Sequence, residues 1–123
     1  MNTILLYIAS AMACLWGIAH LFATRGVVAG FGELTPDNRN IIAMEWIIEG
    51  VALIATGAFV AVATAIDPHA PVAHGVFVVA IASLITLAFV SLFTGFKVAF
   101  LPFRLCPFVL ATAATLIAAG AWL

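Results

Sequence analysis

The chain has 123 residues, of which 67% are hydrophobic and only 7% charged, with a formal net charge of −1. Soluble domains carry about 25% charged residues, so this composition excludes an ordinary soluble fold and predicts the lipid bilayer as the solvent. Nucleic acid is not among the expected partners.

A helix needs roughly 20 mostly apolar residues to cross a hydrocarbon core of about 30 Å. Four runs near that length lie at 3–24, 41–66, 75–96 and 105–123, and they lack the period-two alternation of a membrane barrel. The expected fold class is therefore an all-α integral membrane protein, a single four-transmembrane-helix bundle with helices at about 3–24, 36–66, 75–96 and 103–123.

The first run contains "ASAMAC", which faintly resembles a lipoprotein cleavage site. No Lys or Arg precedes it and the apolar run continues past Cys14, so it reads as a retained helix. After it, "RGVVAGFGEL" is too short to span and reads as a loop. Helix 2 has a legible start: Thr35 can cap, Pro36 suits the first helical position, and Asp37 favours the positive end of the helix dipole. At 1.5 Å per residue the stretch from Pro36 to Ile66 makes about 46 Å of helix, longer than the bilayer core. Pro68 and Pro71 punctuate the second loop, Pro102 and Pro107 the start of helix 4. Phe96, Phe100, Phe103 and Phe108 cluster at that boundary and read as interfacial anchors.

Arg25 and Arg39 flank the first loop, and Lys97 and Arg104 the third; the second loop and both termini have no Lys or Arg. The positive-inside rule then puts loops 1 and 3 in the cytoplasm and both termini outside, in a bacterial-type inner membrane.

The stretch "IIAMEWIIEG" places Glu45 and Glu49 four residues apart in an apolar run. Counting in from the outer helix ends gives Glu49 and His20 nearly equal depths of roughly 25 Å and 24 Å. Ser91 and Cys106 fall near the same level. On helix 2, Glu45, Glu49, Ala52, Thr56 and Ala63 form one stripe expected to face inward; on helix 1, Ser10, Cys14, Gly17 and Thr24 share a face with His20 at its edge. Ser83, Thr86, Ser91 and Thr94 form a broader arc on helix 3. A polar seam through the bundle is the expectation.

An ionisable group at membrane depth is a functional hypothesis by default. Glu49 has His20 as its natural partner, while Glu45 reads equally well as a solvated carboxylate at the helix start. One histidine with two carboxylates from a single helix turn under-supplies a metal site, and His69 and His74 are expected at the opposite end, which disfavours bis-histidine haem. A quinone needs less: a donor, an acceptor and an apolar slot. His20, Glu45, Glu49, Trp16, Trp46 and Ser91 are the expected ligand-binding residues. Cys14 and Cys106 are too far apart in depth to form a bridge and read as small buried hydrophobes. Asp67, His69 and His74 read as turn residues.

The stretch "EGVALIATG" (49–57) resembles the second helix of DoxX-like proteins, small four-helix membrane proteins with a Glu, a Gly and a Leu at this sort of spacing, and "WGIAHLF" at the end of helix 1 is compatible. The resemblance covers helices 1 and 2. It implies a compact bundle that serves as accessory partner of a redox system, with quinone chemistry in some members. Glu45 and the glycine-rich first loop depart from that pattern.

The expected function is the binding of a hydrophobic small molecule such as a quinone, or service as an accessory subunit of a larger membrane redox complex. A proton-coupled transporter acting as a homo-oligomer, with Glu49 as its carrier, and a purely structural membrane subunit are the alternatives. Whether the chain is itself an enzyme stays open.

Overall fold

The four apolar runs become four α-helices in a computed structural model that describes residues 1–123. They are α1 (Thr3–Gly30), α2 (Pro36–Ile66), α3 (Pro71–Phe93) and α4 (Leu101–Trp122), with one 3-10 turn, Gly95–Lys97, between the last two. There is no strand, and each of the four is long and apolar enough to cross a membrane.

Helix ends follow local chemistry. Asn2 caps α1 by accepting from the amides of Ile4 and Leu5, and Thr35 accepts from Asn38 N at 3.2 Å to cap α2, with Pro36 in the first turn. The stretch expected as a loop after Thr24 is instead helical as far as Gly30. Gly26 and Gly30 do not break it; the helix stops where Gly32 turns left-handed at φ 75°, a conformation that costs glycine little. Pro71 likewise opens α3 rather than ending the turn before it, so His74 is helical.

The helices form a ring in chain order, α4 returning to α1, and successive helices run antiparallel. The register is visible along α1 and α2, where Ser10 meets Gly57 and His20 meets Glu49. Asn2 N donates to Gly120 O at 2.7 Å, which ties the two termini together. Arg25, Arg39, Lys97 and Arg104 therefore occupy one end of the bundle, and the termini with Asp67, His69 and His74 the other.

The α1/α2 contact is the most extensive and the α2/α3 contact the thinnest. Between helices apolar enough to cross a membrane, close backbone approach through small residues is a common mode of contact. A Cβ on Gly17 would lie 2.5 Å from Gly50 O, and one on Gly57 2.6 Å from Ser10 O. Ser10 Oγ donates to Gly57 O at 2.7 Å across this seam. Elsewhere Leu6, Leu53, Phe77, Leu84, Leu110 and Ile117 fill the centre of the bundle. Its outside is apolar too, with Phe22, Phe59, Ile66, Val72 and Phe93 exposed.

Two expected faces are corrected. The buried stripe of α2 is Gly50, Leu53, Gly57, Val60 and Thr64, rotated by one residue from the expected line, so Glu45 and Ala52 are exposed. On α3 the buried stripe is Ala73, Phe77, Ala80, Leu84 and Ala88, while Ser83 and Thr86 face outward. Thr86 meets its own needs by donating to Ala82 O at 2.8 Å.

Candidate functional site

At the basic end the bundle opens into a chamber of about 420 Å³. Its walls come from every helix and from the 3-10 turn: Trp16, Ala19, His20, Ala23 and Val27 of α1, Trp46 and Glu49 of α2, Val90 and Ser91 of α3, Thr94 and Gly95, and the start of α4 with Phe103 and Cys106. The added turns of α1 contribute Val27.

His20 is held on several sides. Its Nδ1 lies 2.9 Å from Trp16 O, and because a carbonyl only accepts, Nδ1 carries the hydrogen. Nε2 is thereby aimed at Glu49, 3.6 Å from Oε1. The imidazole and the carboxylate thus face each other as the two strongest polar groups in the chamber wall. The ring stacks on Trp46 with centroids 4.6 Å apart, and Trp46 leans on Phe103 at 5.3 Å. Trp46 Nε1 donates to His20 O at 2.6 Å and Thr24 Oγ1 to the same oxygen at 3.0 Å, so the backbone at His20 is fixed as well as its ring.

Opposite stand Ser91 and Cys106, the hydroxyl donating to the thiol sulfur at 3.4 Å. Trp16 completes the wall, and its Nε1 is buried with no hydrogen-bond partner. A buried donor left unpaired costs about 1–3 kcal/mol. It is the one such side-chain atom in the protein.

Of the residues expected at a site, the structure brings Trp16, His20, Trp46, Glu49 and Ser91 to one chamber and leaves Glu45 outside it, exposed one turn nearer the basic end of α2. The phenylalanines divide: Phe100 and Phe103 line the chamber, whereas Phe96 and Phe108 pack on each other at 6.1 Å, with the Arg104 guanidinium 5.2 Å over the Phe96 ring. Cys106, Thr94 and Val27 were not anticipated as lining residues. The depth count had placed Cys106 at the right level, which was the available signal. Both cysteines are free; Cys14 approaches Ile54 O at 3.6 Å in the α1/α2 seam.

No group of three or more His, Cys, Asp or Glu side chains converges anywhere in the protein. At the opposite end His74 packs against Phe77 and Trp122, and Asp67 accepts from His69 N at 2.9 Å in a turn. Comparison with known protein families, with functionally characterised proteins and with solved structures finds no match for this chain.

Proposed function

We propose that this protein binds a small hydrophobic molecule of the quinone class in the chamber at its basic end, as a ligand-binding protein or accessory subunit of a membrane redox assembly. The observation that carries the reading is the His20 and Glu49 pair, set with the Trp16 and Trp46 rings in the wall of a mostly apolar space. An apolar ring bearing carbonyl oxygens suits such a space: the ring lies against the aromatic wall, and a carbonyl oxygen accepts from His20 Nε2 when that nitrogen carries a hydrogen. The volume, about 420 Å³, falls within the roughly 300–1,000 Å³ usual for small-molecule sites.

The likeness to DoxX-like proteins belongs with this proposal rather than beneath it. Gly50, Leu53 and Gly57, within the stretch that carries it, are the buried stripe of α2 and have a packing role of their own. The orientation proposed for the bundle puts the basic end in the cytoplasm and both termini outside.

The test uses indole fluorescence. Trp16 and Trp46 line the chamber, while Trp122 lies at the other end. Titration with a short-chain quinone in nanodiscs should quench the two chamber tryptophans saturably, and Glu49→Gln or His20→Ala should weaken that quenching about tenfold, as expected for loss of a hydrogen bond to a charged group. Quenching that never saturates, or that is the same in all three proteins, rejects the proposal.

A further inference from the structure

A second cleft lies outside the chamber, between the last turns of α1 and the first turns of α2, with a volume of about 530 Å³. Arg25 and Arg39 both line it, together with Asn40, over a floor that includes Val28 and Ala43. These are two of the chain's four Lys and Arg residues. Neither guanidinium has a carboxylate within 4.0 Å, since His20 with Glu49 is the one ion pair in the protein, and Glu33 and Asp37, nearest along the chain, do not line the cleft. The other basic residue that can be compared, Arg104, is placed over an aromatic ring.

We propose that this cleft is a binding site for a phosphate group, supplied by an anionic phospholipid headgroup. Each guanidinium presents five N–H donors in a planar fork that matches phosphate oxygens, and none of those of Arg25 or Arg39 is used by another side chain or carbonyl of the protein. Depth selects the lipid. Arg25 directly follows the apolar run that ends at Thr24, and Arg39 stands two residues before the run that starts at Ile41, so both lie at the polar boundary where lipid phosphates reside. The extension of α1 past that boundary makes the cleft, because it gives Arg39 a wall to face; a loop after Thr24 would have left each arginine alone on a surface. Val28 and Ala43, in the same lining, can meet the start of an acyl chain of the same lipid. The site is independent of what the chamber holds.

Native mass spectrometry of the full chain in neutral detergent, with phosphatidylglycerol and phosphatidylcholine as probes, tests this. Wild-type protein should retain phosphatidylglycerol in preference to phosphatidylcholine, and Arg25→Gln and Arg39→Gln should each reduce that retention about fivefold, while Arg104→Gln leaves it unchanged. If inorganic phosphate instead raises the melting temperature of the wild type but of neither cleft variant, and phosphatidylglycerol does not compete, the phosphate site stands and its source is soluble. Equal losses in all three variants would reduce the effect to net charge and overturn the proposal. So would a wild type that neither discriminates between the lipids nor responds to phosphate. Helical circular dichroism of each variant confirms the fold, which these exposed positions leave intact.

Discussion

Replacing Gly17 by alanine probes the contact that holds the candidate site in register. The added Cβ would stand 2.5 Å from Gly50 O, 2.9 Å from Ile54 N and 2.8 Å from Ile54 Cγ1. Two of those three atoms are backbone and cannot rotate away, so α1 and α2 must part by roughly 1 Å to restore ordinary contact. Overpacking of this kind costs about 1–3 kcal/mol, and a clash with backbone belongs at the upper end. Alanine returns about 1 kcal/mol of helix propensity, leaving a net loss of about 2 kcal/mol. Gly75 is the control: it too is inside a helix, but a Cβ there meets nothing within 4 Å. Gly75→Ala should therefore stabilise by about 0.5–1 kcal/mol. Reversible unfolding in mixed micelles, followed by circular dichroism, measures both. Equal stabilisation by the two substitutions would show that the α1/α2 seam does not depend on glycine, and the packing argument would fail.

Two further outcomes follow from the site and its orientation. Trp16→Phe removes the buried N–H and should change stability by less than about 1 kcal/mol, since the lost ring area is offset by relief of an unpaired donor; a large loss of stability would make the indole a packing residue whose N–H costs nothing. For orientation, single cysteines at Asn2 and Gly32 sit at opposite ends of the bundle. An impermeant maleimide applied to intact cells should label Asn2→Cys and spare Gly32→Cys, and the reverse pattern would invert the proposed topology.

Much of the architecture is legible in residue types. The four apolar runs, the Thr35 cap with Pro36 behind it, and the common depth of His20, Glu49, Ser91 and Cys106 all follow from counting, because helical rise is constant and backbone in lipid must hydrogen-bond to itself. Faces were harder. Helix α3 is apolar all round, so its sequence carries no contrast between the side that meets α4 and the side that meets lipid, and the hydroxyls of Ser83 and Thr86 misled because each can be satisfied within its own helix. On α2 a rotation of one residue, about 100° of helix, separates the stripe drawn through Glu45 and Ala52 from the one that packs.

What the sequence determined by itself is the apolar character of the helices, their number and the level at which the polar groups lie, since composition and rise depend on no neighbour. Which of those groups meet was decided by tertiary structure. The close approach at Gly17, Gly50 and Gly57 sets the rotation and register of α1 against α2, which bring Glu49 opposite His20, while Glu45, a turn nearer the helix start, lies outside the chamber. The chamber is a gap surrounded by residues of all four helices, and the Trp16 N–H is enclosed in its wall with no hydrogen-bond partner. Neither absence is written in any local pattern, because each is a property of the space between helices.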